Sequence, residues 1–202
     1  MTGIPGRMAV SDDVTSLPTP SAVELPAPDD ELASAAVAQL GWPGVALPPM
    51  TLLGRRVSLV AELLPDAHAE RICLGQAPVT DRATVSTWVW PEFAGQVPAA
   101  AVRIVGVLAV VRHWRTGLAA LAPFARYGET AMVVPSSVVL THDYLANCLP
   151  RARTYGIAVV SADPDNGVEL DLPGRNDRRV AAGIDAVSRW VNEVAYERVL
   201  SA

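Results

Sequence analysis

Two short stretches of the 202-residue chain carry acidic side chains of the kind that hold a cation. "LLPDAHAE" contains a Pro-Asp at 65–66, and "DPDNGVELDL" contains another at 164–165, followed by Glu169 and Asp171. Carboxylates brought together from two strands bind a hard divalent cation through oxygen. Such a metal polarises a phosphate and helps to form the attacking hydroxide. Spacing favours neither stretch. Pro65 reads as a helix stop, and the second Pro-Asp reads as turn chemistry in a tight hairpin. Too few residues separate Asp165 from Glu169 to place them on two adjacent core strands. His113 with His142 or Asp143 is the next candidate, for metal or acid–base work. The three histidines have no ligand spacing, however, and read as surface or capping residues. Ser136 and Ser137 follow a strand-like run without a Gly-x-Ser-x-Gly elbow. Neither a dinucleotide fingerprint nor a phosphate loop with its lysine is present. No metal and no cofactor is therefore expected. Cys73 and Cys148 form no CxxC motif and read as buried free thiols of a reducing, cytoplasmic compartment.

Arginine carries the remaining chemistry. All 16 basic residues are arginine, against 21 acidic ones, for a net charge of −5. A mechanism that needs a lysine from this chain is excluded, and the negative balance argues against nucleic-acid binding by charge alone. Arg112 and Arg115 flank Trp114, and Arg151, Arg153, Arg175, Arg178 and Arg179 cluster in the second half. One reading is a solvated face ion-paired to nearby acids. The other is a patch that contacts phosphate or a partner, formed by Arg112, Trp114, Arg115, Arg151 and Arg153. Trp88 and Trp90 alternate with Val89, so on a strand both would face one side, in the core or at an exposed interface.

The elements that must position these residues follow from periodicity. Residues 1–28 are rich in proline and read as a flexible leader that orders only against a partner or the domain surface. Residues 29–202 read as a single α/β domain, long enough for one core. No apolar run reaches the roughly 18 residues of a membrane span, and the N-terminus lacks the apolar region of a secretory signal. "DDELASAAVAQL" (29–40) predicts a helix. Leu59, Leu63 and Leu64 fall at helical spacing and predict a second helix over 52–64. Strands are predicted at 69–75, at 82–90 from its β-branched and aromatic residues, and at 100–111 from a continuous apolar run. "RHWRTGLAALAPFARYGE" turns helical, with Pro123 bending it. "TAMVVP" (130–135) is a buried strand, and "TYGIAVVSA" and "GVELDL" form a strand pair around "DPDNG". A long amphipathic helix closes the chain, with Val180, Ile184, Val187, Val191 and Val194 on one stripe. Val105, Val107, Ala109, Val111, Met132, Val134, Ile157 and Val159 are the predicted centre of the core. The result is a mixed central β-sheet flanked by helices.

Over about residues 82–172 the order "W…Y…GE…MVVP" (Trp114, Tyr127, Glu129, Pro135), followed by "YGIAVVSADPDNGVELDL", resembles the PD-(D/E)XK nuclease superfamily. The resemblance implies a restriction-endonuclease-like core. It also implies acidic residues on two strands that hold a divalent cation, and a lysine that supports the reaction. Counted back from Trp114, the places of the glutamate and lysine fall on Leu108 and Val110. The place of the first-strand aspartate falls on Thr84, and that of the helix glutamine falls near Ala120. The resemblance thus implies a degenerate member without catalytic residues. Such a protein would act as a binding or structural subunit of a larger assembly, with a protein partner or a second copy, and with weak nucleic-acid contact at most. The alternative is a metal-dependent nuclease with relocated acids, for which Asp81, Glu92 and Glu62 are the nearest candidates.

Overall fold

The computed structural model describes residues 24–125, 128–165, 167–175 and 185–201. Most of the predicted leader lies outside them, as do Tyr127, Arg178, Arg179, Val180 and Ile184.

The chain forms a mixed α/β fold. The elements run α1 (Asp29–Leu40), β1 (Val45–Ala46), β2 (Met50–Leu52), β3 (Arg55–Leu63), α2 (Pro65–Cys73), α3 (Arg82–Thr87) and β4 (Val102–Val110). They continue α4 (Trp114–Leu121), β5 (Glu129–Pro135), α5 (Ser136–Val139), α6 (Leu149–Tyr155), β6 (Ala158–Asp163), β7 (Gly167–Leu172) and α7 (Ala186–Ser201). One sheet of seven strands has the order β1-β3-β4-β5-β6-β7, with β2 also pairing with β3. β4, β5 and β6 are parallel, while β3 and β7 run antiparallel to their neighbours.

The three parallel strands are buried along almost their whole length, as continuous apolar sequence requires. One sheet face packs on α1 through Leu32, Ala36, Val37 and Trp42. The other packs on α4, α6 and α7 through Trp114, Leu118, Leu121, Ala152, Ala195 and Tyr196. Of the eight residues predicted for the core centre, seven are buried, and Val111 packs against the core half-buried.

β4 carries one irregularity. Val60 pairs with Gly106 but Ala61 pairs with Ile104, so Val105 has no partner on β3. This is a bulge. It reverses side-chain parity: Ile104, Val107 and Ala109 face the α4/α7 side, whereas Val105 and Leu108 face α1.

Three predicted elements differ. Residues 52–64 form no helix but the β2–β3 hairpin, turning at Leu53 and Gly54 with φ of +49° and +73°. A strand buried on both faces gives an unbroken apolar run, and Leu59, Leu63 and Leu64 imitate helical spacing by accident. Residues 69–75 fall largely in α2, where Pro65 stands in the first turn with Asp66 beside it. Residues 82–90 form α3 and a turn. Asp81 caps the helix by accepting from the Thr84 amide at 2.7 Å, and the cap outweighs the β-propensity of the segment. Trp88 and Trp90 therefore do not alternate on a strand; Trp90 is exposed and lies against Phe93. The closing helix is described from Ala186, after Asp185, whose carboxylate accepts from the Ser188 amide. Its fully buried side carries Arg189, Glu193, Ala195 and Tyr196, while Val187, Val191 and Val194 are half-buried.

Candidate functional site

A cleft of about 890 Å³ opens where β4 ends and α4 begins. The antiparallel register, Ser58 against Leu108, sets the start of β3 beside the end of β4. Arg55 and Arg56 from β3 thus stand opposite Arg112, His113 and Arg115 around one opening. All five are exposed. Arg56 meets Asp29 at 3.3 Å and Arg115 meets Asp143 at 3.1 Å. Arg55 and Arg112 have no ion pair or side-chain hydrogen bond among the described residues. Val110 and Ser58 also line the cleft. Ser58 is 3% exposed, and its hydroxyl has no hydrogen-bond partner among the described residues. His113 is the N-cap of α4, but its side chain does not bond the first-turn amides.

Trp114 anchors the adjoining wall. It is 4% exposed, and its indole N–H donates to Asp143 Oδ2 at 3.0 Å. The same carboxylate accepts from Arg115 and, at 2.8 Å, from Asn147. The guanidiniums of Arg115 and Arg151 lie 4.7 and 5.6 Å from the centre of the Trp114 ring. The Trp114 hydrogen bond, with help from Asn147, Arg115 and Arg151, holds the Asp143 carboxyl below the ordinary aspartate value. Of the arginines proposed for a phosphate or partner patch, Arg112, Arg115 and Arg151 gather around Trp114 and the cleft. Among the described residues no contact links Arg153, exposed on the last turn of α6, to this group.

The positions that the nuclease resemblance marks are now placed. Leu108 is 0% exposed and packs beneath α1 with Trp42, Val60, Ala131 and Val133. Val110, two residues on, is half-buried at the cleft. Thr84 is on α3, not on a core strand, and its hydroxyl bonds Asp81 at 2.6 Å. That placement corrects the first-strand assignment: the strand beside β4 is β3, where Ser58 stands opposite Leu108. Glu62 is at the far end of β3, ion-paired with Arg103. Among the described residues no group of three or more His, Cys, Asp or Glu side chains is placed to hold a metal ion.

Two of the remaining candidates, Ser136 and Asp171, have structural partners. Ser136 donates to Asp163 at 2.8 Å. Asp171 accepts from the Tyr144 hydroxyl and from Ser161 at 3.1 Å. Burial, then the Asp171 hydrogen bond, raises the Tyr144 phenol. Burial first, with the Asp143 and Asp171 charges behind it, pushes the Cys148 thiol up to about 12. Cys73 is exposed, contrary to the expectation of two buried thiols. Among the described residues no helix is long and apolar enough to cross a membrane.

Two features had no reading in the sequence. Arg55, Arg56 and Ser58 belong to the cleft only because 52–64 is a hairpin; Leu53-Gly54 between two apolar runs was the available signal. The other is a buried ion pair, Arg71 with Glu193, at 2.7 Å and with side chains 0% and 1% exposed. Arg71 also donates to the carbonyls of Gln76, Ala77 and Ala99, and the Val79 amide donates to Glu193. No protein-family model, curated protein or solved structure matches the chain.

Proposed function

We propose that this chain is a non-catalytic binding subunit on a nuclease-like scaffold, acting in the cytoplasm with a protein partner or a second copy. The observation that carries the reading is Leu108. At the place that the resemblance assigns to a metal-binding glutamate, this side chain is sealed in the apolar core beneath α1. A carboxylate there would lose its hydration without gaining a cation. Val110, at the place of the lysine, is apolar, and the chain has no lysine to substitute for it. Two of the three acids of the relocated-site alternative are engaged elsewhere: Asp81 caps α3, and Glu62 pairs with Arg103, while Glu92 lies exposed in the 91–93 turn.

The test is cleavage. Purified protein should leave labelled single- and double-stranded DNA and RNA intact in Mg²⁺ or Mn²⁺. Cleavage lost on Asp81→Ala or Glu92→Ala would overturn the reading in favour of a relocated active site. Leu108→Glu with Val110→Lys should restore no cleavage and should lower stability, because both charges would enter a strand without a ligand shell.

A further inference from the structure

We infer that the cleft between β3 and the start of α4 is a binding site for a small ligand bearing a diphosphate group. The inference rests on the binding-subunit reading and names what one of its surfaces takes.

Charge is the first ground. Arg55, Arg56, Arg112 and Arg115 surround a single opening in which Asp29 is the one acidic lining residue. The chain as a whole carries −5, so this positive field is local. Guanidinium groups present paired N–H donors that match phosphate oxygens two at a time. Arg55 and Arg112 have those donors uncommitted within the described structure.

The second ground is independent of charge. Ser58 lines the cleft, and its hydroxyl, unpartnered among the described residues, is open to the cleft. A hydroxyl that reaches the cleft can donate one further hydrogen bond to a bound phosphate oxygen. The first turn of α4, which lines the cleft, lacks a side-chain cap, and such amides favour anions.

Size and surroundings select the ligand. About 890 Å³ suits a small molecule of nucleotide size. A long polyanion would instead have to cross the acid-rich remainder of the surface, against repulsion. Two linked phosphates offer more oxygens to the two uncommitted guanidiniums, Arg55 and Arg112, than one phosphate does.

The full chain should be titrated calorimetrically with inorganic pyrophosphate, inorganic phosphate and a longer single-stranded oligonucleotide. Saturable, salt-sensitive pyrophosphate binding is expected, tighter than that of phosphate. The double variant Arg55→Gln/Arg112→Gln should weaken it by about tenfold or more, and Arg153→Gln, an exposed arginine on α6, should leave it unchanged. Both variants alter exposed side chains, and their melting curves should match the parent. Absence of saturable pyrophosphate binding at millimolar concentration would overturn the inference. So would an equal loss in Arg153→Gln, or oligonucleotide binding that strengthens with length and that pyrophosphate does not displace. Cleavage of the oligonucleotide in Mg²⁺ would sink the binding-subunit reading alone, since the pyrophosphate isotherm is read without metal.

Discussion

Asp143 concentrates more polar contacts than any other residue near the cleft, taking hydrogen bonds from Trp114, Arg115 and Asn147. Each contact favours the ionised carboxylate, so its folded pKa lies below that of the unfolded chain. The stability it contributes is therefore present above the unfolded value of about 3.9 and is lost as pH falls through the folded value. Urea midpoints of the parent and Asp143→Asn should differ most near neutral pH, with the gap closing below about pH 4. A gap that ignored pH would mean that the carboxylate charge contributes nothing. Single residues were legible in the sequence only where chemistry is local. The flanking of Trp114 by Arg112 and Arg115 was visible, but the partner that binds its indole N–H lies 29 positions away.

At the level of elements, the outcome followed burial. α1 spans the predicted 29–40, and β4 and β5 lie within a residue or two of their predictions, because long apolar runs bounded by turn residues specify strands without help. β3 failed for the same property: buried on both faces, it lost the alternation that marks a strand. α3 failed because a single cap, Asp81, decided a short segment that propensity assigned otherwise. Between β4 and α1 the fit is close. A Cβ built on Gly106 would stand 2.4 Å from the Trp42 ring and 2.9 Å from the Glu129 carbonyl oxygen. The ring is wedged and the carbonyl belongs to the neighbouring strand, so neither can yield cheaply. Gly106→Ala should cost about 1–3 kcal/mol in urea unfolding, and an unchanged midpoint would show that Trp42 is free to move.

Across the whole molecule, the buried Arg71–Glu193 pair fastens α7 to α2 and, through Arg71, to the loops at Gln76 and Ala99. Elements far apart in the chain meet at one polar knot, with Arg189 of α7 also buried. Glu193→Gln would leave the Arg71 charge buried without its counter-ion, an expected loss of about 3–5 kcal/mol. Replacing both residues by apolar ones of similar size should recover part of it, the remainder being the charge of Arg189, buried on the same helix and leaning on Glu193. Equal losses in the single and the double variant would mean that packing, rather than charge, holds α7. The overall α/β layering could be read from the sequence. The knot could not, since charged residues on a helix normally mark its wet side.

The bulge in β4 bears on which changes of length the chain can absorb. Val105 has no partner on β3, and the ladder to β5 begins only at Gly106. Deleting that one codon would leave Ile104 and Gly106 adjacent, keep every existing strand pairing and restore plain alternation. The loss would be one buried valine and some local twist, about 2 kcal/mol. Deleting Val107 instead would shift the strand by one residue and turn Leu108 and Ala109 to the wrong faces. Soluble expression of the two deletions should therefore differ sharply. The centre of the sheet, where insertions and deletions are normally least tolerated, holds one position at which a shorter chain still fits.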